Sequence, residues 1–289
     1  MKTLALTLLL CAPALAAPAR TTVKLSHEPM TPNPGPSALI HLGKGFKKTG
    51  PLNLIVHFHG ILNCISVTVE DKGGSCRGKG AQGHKLISQV DASGVNAVFI
   101  ALEVAYAQNN TNPGKLAQDG FLRSIIEELL PKIGELADRE YSMSDVKKVA
   151  LTSHSGGYAA LCESLARGKV NVTAVLLFDS LYPNKKKKGP KDDQCFNKYV
   201  SFAKAKKGTG QLKVVYTQMG GTMANSQALS ADVKAAVHKN RYYDDRKGAD
   251  AALMKKSELA RPFVFLRTSA THDDSVRKWY EPLLRRLRF

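Results

Sequence analysis

The stretch at residues 147–160, KKVALTSHSGGYAA, constrains the fold most, because it joins an apolar strand directly to a helix predicted over residues 158–167. The letters between them, SHSGG, follow the small-x-Ser-x-Gly pattern of a nucleophile elbow centred on Ser155. Such a sharp turn strains the backbone of its central residue, so the residues two positions away, here Ser153 and Gly157, must be small. The same letters also fit an ordinary strand-to-helix turn in which Ser155 is a helix N-cap. The elbow alone therefore leaves the role of Ser155 open.

Strand and helix patterns alternate through almost all of the rest of the chain. Besides the elbow strand, short apolar runs predict strands at residues 21–25, 38–42, 52–58, 97–102, 172–178, 212–217 and 263–267. Apolar residues at helical spacing predict helices at residues 82–91, 118–139, 158–167, 224–240 and 275–286. Continuous apolar strands separated by helices indicate a parallel sheet that is buried on both faces. We expect an α/β fold, a doubly wound and mostly parallel sheet with helices on both faces, formed by a single domain over residues 17–289.

Residues 183–210 depart from this alternation. They lie between two predicted strands and contain the lysine run at residues 185–188. A lysine run is usually a solvated loop. We therefore expect a basic, exposed excursion, either a surface insertion or a lid over a site, rather than a separate domain.

Polar residues follow the predicted strands at the points where each strand ends. Reactive groups in doubly wound sheets collect at these carboxyl ends. The residues in these positions are His59, Gly60, Glu103, Ser155, Asp179 and His272.

This set resembles the α/β-hydrolase fold superfamily, whose catalytic residues occur along the chain in the order nucleophile, acid, histidine. Ser155, Asp179 and His272 stand in that order, although the family usually has Gly where this chain has Ser153. The resemblance implies that Ser155 is the nucleophile and that His272 accepts its proton, because serine needs a base and histidine titrates near neutral pH. Asp179 would then hold the imidazole in the required tautomer.

The acid is the least settled member of the set. The superfamily more often places it one strand later, but the strand at 212–217 is followed by Gln218 and by no carboxylate before Asp232. Some members, including pancreatic-type lipases, place it one strand earlier, where Asp179 stands. Asp273 and Asp274 follow His272 directly, and sequence neighbours seldom have the geometry to orient each other's rings. We therefore predict Asp179.

The loop after the strand at 52–58 resembles the HG-x loops of the superfamily. The resemblance implies an oxyanion hole formed by the backbone N–H groups of Gly156 and Ile61. Gly60 would let the backbone approach the substrate closely. Glu103 is expected either to contact substrate or to have a structural role, and His59 is expected to form hydrogen bonds within the loop.

We expect no metal or organic cofactor. His57 and His59 alternate along one strand and face opposite sides of the sheet, so they cannot bind one metal together. No His/Cys cluster in the sequence has the spacing of a zinc site.

The first 16 residues have the pattern of a secretory signal peptide. Lys2 supplies the positive start, residues 4–10 form the apolar core, and residues 14–16 (Ala-Leu-Ala) match a cleavage site. We expect the mature chain to begin near Ala17 and to be secreted or periplasmic. Lipidation at Cys11 ranks second, because a bulky leucine precedes it.

Four cysteines follow the predicted signal: Cys64, Cys76, Cys162 and Cys195. Export permits disulfides. Cys64 and Cys76 bracket a polar, Gly-rich loop, so a local bridge between them is the first expectation. Cys162 fits a buried free thiol equally well.

The net charge of +18 favours an anionic partner or simply a soluble basic surface. No basic motif interleaved with aromatic residues supports nucleic-acid binding, and no segment is long and apolar enough for a transmembrane helix. The leading hypothesis is a secreted serine hydrolase that cleaves a small-molecule or polymer ester through an acyl-serine intermediate. The alternatives are a serine peptidase or amidase that acts on cell-wall or peptide substrates, and a non-catalytic binding protein on a hydrolase scaffold.

Overall fold

The computed structural model describes residues 19–30, 33–104, 106–182, 194–205, 210–218, 221–246 and 256–289. The predicted signal peptide and the lysine run at residues 185–188 lie outside the described residues. None of the described helices is both long and apolar enough to cross a membrane.

Strands and helices alternate along the described chain. The strands are β1 (Arg20–Val23), β2 (Ala38–Leu42), β3 (Leu52–Phe58), β4 (Gly74–Cys76), β5 (Lys79–Ala81), β6 (Val98–Leu102), β7 (Val146–His154), β8 (Val172–Phe178), β9 (Gln211–Thr217), β10 (Tyr242–Asp245) and β11 (Phe263–Thr268). The helices are α1 (Ile65–Thr68), α2 (Leu86–Ser93), α3 (Phe121–Ala137), α4 (Tyr158–Arg167), α5 (Gln194–Ala205), α6 (Met223–Ala236), α7 (Lys256–Leu259) and α8 (His272–Leu284).

Nine of these strands form one sheet in the order β1-β2-β6-β3-β7-β8-β9-β11-β10. β1 and β2 are antiparallel to their neighbours, and all the strands from β6 to β10 in that order run parallel. β4 and β5 form a separate hairpin. The central strands β3, β8 and β9 are buried along their whole length, as their continuous apolar runs predicted. The predicted mostly parallel α/β sheet is confirmed.

Two layers of helices cover this sheet. α3, α4, α5 and α6 bury their apolar sides against one face, with Ile125, Leu161 and Phe202 among the buried residues. α2 and α8 cover the opposite face, where Trp279 and Tyr280 are fully buried. Burying each such side chain stabilises the fold by about 1.5–3 kcal/mol.

The strand register brings the polar strand ends together at one edge of the sheet. Phe58 of β3 pairs with Ser153 of β7, and His154 of β7 pairs with Phe178 of β8. The residues that follow these positions therefore leave the sheet side by side. This places the loop after β3, the turn after β7 and the turn after β8 around one point.

The expectation of an exposed excursion is wrong for its second half. Residues 194–205 form α5, which packs against α4 and α6. Phe196 and Tyr199 are almost fully buried, so α5 is a crossover helix between β8 and β9. The lysine run upstream hid this helix, because the composition of the whole segment looks polar.

Both cysteine pairs are bridged. The predicted bond between Cys64 and Cys76 is present and ties α1 to the β4–β5 hairpin. Cys162 of α4 is bonded to Cys195 of α5, so the free-thiol alternative for Cys162 is wrong. The second bridge joins two neighbouring helices of one layer, and this pairing could not be predicted because α5 itself was not.

Candidate active site

Ser155 stands at a sharp turn between β7 and α4. β7 ends at His154, residues Ser155–Gly157 form one 3₁₀ turn, and α4 begins at Tyr158. The φ angle of Ser155 is 50°, in the left-handed region that side chains other than glycine rarely adopt. Such strain is typical of a residue whose side chain must project from a turn. The turn has the geometry of an elbow.

Two glycines let the backbone close around this turn. A Cβ atom at Gly60 would lie 2.8 Å from the Cβ atom of Ser155. A Cβ atom at Gly157 would lie 2.3 Å from the carbonyl oxygen of Phe58. These separations are far below van der Waals contact, so both positions require glycine.

The hydroxyl of Ser153 explains why this position is not glycine here. Ser153 Oγ lies 2.8 Å from Ser180 Oγ, and Ser180 Oγ donates a hydrogen bond to the carbonyl oxygen of Ser155 at 2.8 Å. Because the Ser180 proton is used for that carbonyl, the proton between the two hydroxyls comes from Ser153. Ser153 and Ser180 together therefore stabilise the turn through the carbonyl oxygen of Ser155. The sequence places Ser180 directly after Asp179 at the end of β8, but no role for it was predicted.

Asp179 follows β8 and is fully buried, with a φ angle of 44°. Its carboxylate accepts hydrogen bonds from His272 Nδ1 at 2.6 Å, from the Thr217 backbone N–H at 3.0 Å and hydroxyl at 2.8 Å, and from the Thr222 hydroxyl. Burial by itself raises the pKa of this carboxyl group, but the hydrogen bonds from His272, Thr222 and Thr217 outweigh burial and lower the pKa below its ordinary value. The structure therefore brings an ionised carboxylate to the Nδ1 side of His272.

His272 is the first residue of α8, and Thr271 caps the helix by accepting a hydrogen bond from the Asp274 N–H. Nε2 of His272 lies 3.4 Å from the hydroxyl of Tyr182, which lines the same cavity as Ser155. Burial raises the pKa of Tyr182 to about 12, with a smaller lowering by the neighbouring Ser155. Tyr182 is thus a neutral hydroxyl beside His272, and sequence reasoning missed it because it lies beyond the strand end.

The predicted residues Ser155, His272, Gly60 and Ile61 share one cavity of about 310 Å³. The cavity is lined by Gly60, Ile61, Asn63, His84, His154, Ser155, Tyr182, His272 and Asp273. A Cβ atom at Gly156 would lie 3.3 Å from the Ile61 backbone nitrogen, so the two residues named for the oxyanion hole are neighbours. The loop after β3 therefore lies against the turn that contains Ser155.

Glu103 does not reach this cavity. Its side chain is buried, with one carboxylate oxygen 2.5 Å from His59 Nε2 and the other accepting a hydrogen bond from the Ile65 N–H at 3.0 Å. The expectation that Glu103 contacts substrate is therefore wrong. Glu103 has the structural role that was the alternative, because it holds His59 and the Ile65 N–H. His59 also contacts the Gly60 carbonyl oxygen through Nδ1 at 2.7 Å, which is the hydrogen bond within the loop that was expected. Burial lowers the pKa of His59, but the charge of Glu103 and these hydrogen bonds outweigh burial and raise it.

His84, His154 and Asp273 bring further polar atoms together on one wall of the cavity. One potential ligand atom from each lies within 4.8 Å of those of the other two. Burial is the largest influence on both imidazoles and lowers the pKa of His84 and of His154. The neighbouring His84 imidazole, whose Nε2 atom lies 3.5 Å from Asp273 Oδ1, lowers the pKa of Asp273. Sequence spacing could not reveal this group, because its members come from three separate parts of the chain.

Comparison with known proteins identifies the fold through structure alone. No protein-family model and no curated protein matches the sequence. The S954A mutant of the feruloyl esterase module from Clostridium thermocellum, complexed with sinapinate, is similar with a TM-score of 0.57 and 10% identity, over 95% of this chain and 89% of that chain. A second structure, of a protein abbreviated FAE, has a TM-score of 0.57 and 11% identity, over 93% of this chain and 87% of that one. Together with the parallel sheet and the turn at Ser155, these similarities lead to one conclusion: the chain has the α/β-hydrolase fold.

Proposed function

We propose that this protein is a serine hydrolase that cleaves a carboxylic ester through an acyl intermediate on Ser155. The observation that carries the proposal is the 2.6 Å contact between His272 Nδ1 and the buried carboxylate of Asp179. This contact leaves Nε2 of His272 facing the cavity that Ser155 lines. A serine, an imidazole and a carboxylate with these neighbours are the groups that acyl transfer requires.

The proposed reaction begins when Ser155 Oγ attacks the ester carbonyl and His272 Nε2 takes the Ser155 proton. Asp179 stabilises the resulting imidazolium. In the resting geometry Nε2 of His272 lies 3.4 Å from the Tyr182 hydroxyl, so His272 has to form its hydrogen bond with Ser155 before attack. Hydrogen-bond geometry often tightens in this way only when substrate is bound.

The negative oxygen of the tetrahedral intermediate would be held by the N–H groups of Gly156 and Ile61. His272 then protonates the leaving alcohol, which leaves the acyl group on Ser155. Water, activated by the same imidazole, releases the acid and restores the serine. Each proton taken from a nucleophile is returned to a leaving group, so the cycle is balanced.

An ester is the first class of bond to test, because one of the two similar structures is a feruloyl esterase module. The same groups would also cleave an amide, which keeps a peptidase or amidase as the alternative. The net charge of +18 favours an acidic ester substrate. The two disulfides support an exported protein, since such bonds persist in oxidising compartments.

A fluorophosphonate probe tests the proposal without knowledge of the substrate, because it reacts with activated serines. We expect labelling of the wild type and of Ser153→Ala, but none of Ser155→Ala. Ser153 is a matched control, since it is a buried serine two residues away, near the end of β7. If the folded wild type is not labelled, or Ser155→Ala is labelled equally, the proposal fails and a binding protein on this scaffold becomes the better account. A panel of paired esters and amides with the same acyl group then decides between esterase and amidase.

A further inference from the structure

His84, His154 and Asp273 form a cluster in the cavity that Ser155 and His272 also line, and the His154 and His272 ring centroids are 4.7 Å apart. His84 and His154 are buried, and their rings meet edge to face with centroids 4.5 Å apart. The Asp273 side chain is 43% exposed and closes the cluster toward the cavity. The cluster is therefore reachable from solvent on one side only.

His84 presents an unused nitrogen to this cluster. Its Nδ1 atom lies 2.9 Å from Thr68 Oγ1, so the Thr68 oxygen can accept the Nδ1 proton and leave a lone pair on Nε2. Nε2 is fully buried and makes no hydrogen bond within the described part of the chain. It points at Asp273, with a separation of 3.5 Å to Oδ1. A buried nitrogen without a partner costs free energy unless something else binds it.

The spacing of these atoms suits a metal better than a direct hydrogen bond. A separation of 3.5 Å is too long for a strong hydrogen bond to a carboxylate. Two ligands that are each about 2.1 Å from a tetrahedral Zn²⁺ ion lie about 3.4 Å apart. His154 Nε2 lies 3.9 Å from the same Asp273 oxygen, and one potential ligand atom from each of the three residues lies within 4.8 Å of those of the other two.

The second contact of His84 also fits a metal site. In a histidine that binds a metal, the other ring nitrogen usually forms a hydrogen bond with an oxygen that fixes the tautomer. For His84 this oxygen is Thr68 Oγ1. His154 Nε2 contacts the His272 carbonyl oxygen at 3.1 Å and would exchange this contact for the metal. His154 Nδ1, which is buried and has no hydrogen-bond partner in the described part of the chain, would then carry the proton.

We propose that His84 Nε2, His154 Nε2 and Asp273 Oδ1 bind a divalent first-row transition metal of the Zn²⁺ class, with a fourth position open to the cavity. Two imidazoles and one carboxylate favour Zn²⁺ and its neighbours over Mg²⁺ and Ca²⁺, which prefer oxygen ligands. This site requires no activity from Ser155.

Competition titration of Zn²⁺ against a chromophoric chelator tests the proposal on the full, untagged chain. Using Ser155→Ala as the background keeps the result independent of hydrolysis. We expect one Zn²⁺ ion per chain, and at least a tenfold loss of affinity in Asp273→Asn and in His84→Asn. His238→Ala is the matched control, because it removes an exposed imidazole elsewhere and should bind as the parent does.

Co²⁺ provides a readout that depends on coordination geometry. The parent protein should give the intense visible absorption of four-coordinate Co²⁺, Zn²⁺ should abolish it, and an excess of Mg²⁺ should not. Circular dichroism and thermal unfolding of Asp273→Asn confirm that this near-isosteric variant is folded. Absence of stoichiometric Zn²⁺ binding, or equal affinity in the folded Asp273→Asn variant, would overturn the proposal.

Discussion

Asp179 carries a buried negative charge that several hydrogen-bond donors hold in place. Thr217, the last residue of β9, contributes two of these donors, and Thr222, in the segment after β9, contributes one. β9 and the segment after it therefore supply residues that fix a carboxylate from β8. In the proposed mechanism this carboxylate is the acid, which the superfamily more often places after the strand equivalent to β9.

Asp179→Asn should lower the rate of ester hydrolysis by about 10³–10⁴-fold, because an amide favours the wrong imidazole tautomer. Asp274→Asn is the control, since its exposed carboxylate lies two residues from His272 and does not contact it. The measurement is kcat/KM for one activated ester. A similar loss in both variants would remove Asp179 from its proposed role.

The same carboxylate makes stability depend on pH in a defined direction. The pKa of Asp179 is lowered in the folded protein, so its contribution is present above the ordinary aspartate pKa of about 3.9 and is lost as pH falls through the lower folded value. The difference in the free energy of unfolding between wild type and Asp179→Asn should therefore shrink only in strong acid. Chemical denaturation at several pH values measures it.

At the scale of elements, the loop after β3 and the turn after β7 are packed without room for one extra carbon atom. Gly60→Ala would push the loop away from Ser155, since the new Cβ atom would lie 2.8 Å from that of Ser155. A displacement of about 1 Å can reduce activity about 10²-fold. Gly80→Ala in the β4–β5 hairpin is the control, because a Cβ atom there meets nothing within 4 Å. Equal activity in both variants would contradict the proposed placement of the loop.

The buried pair of His59 and Glu103 anchors this loop to the end of β6. The raised pKa of His59 means that the stabilisation by the pair is present below about pH 6.5 and is lost as pH rises through the higher folded value. Glu103→Gln should therefore lower the unfolding temperature more at about pH 6 than at about pH 9. Thermal unfolding of both proteins at the two pH values checks this. A difference that grows with pH would show that the pair is not charged.

Much of this arrangement could be predicted from the sequence, for physical reasons that differ by element. The strands β3 and β8 were predicted with the bounds the structure has, because strands buried on both faces are continuous apolar runs. Parallel pairing then made the polar strand ends neighbours. α5 was missed because its buried apolar residues alternate with polar residues and follow a lysine-rich segment. β10 was missed because its sequence, YYDD, contains no apolar run. The contacts of Tyr182 and His84 depend on packing between distant segments, which no local pattern encodes.

For the molecule as a whole, the bridge between Cys162 and Cys195 joins the helix that follows Ser155 to the crossover helix of the next unit. It closes a loop with a sequence separation of 33, which corresponds to about 3–4 kcal/mol in the chain-entropy model. Replacing both cysteines by serine should lower the unfolding temperature by roughly 5–15 °C. The bridge between Cys64 and Cys76, with a separation of 12, should have the smaller effect. An unchanged unfolding temperature after complete reduction would argue against both bridges.

The central claim, an acyl intermediate on Ser155, is tested most directly by trapping that intermediate. Wild type mixed with an activated ester and quenched in acid should gain the mass of one acyl group, on the peptide that contains Ser155. The alcohol should be released in a burst equal to the enzyme concentration before steady turnover. Ser155→Ala should show neither the adduct nor the burst. Hydrolysis without an adduct, an adduct on another residue, or full turnover by Ser155→Ala would contradict the account.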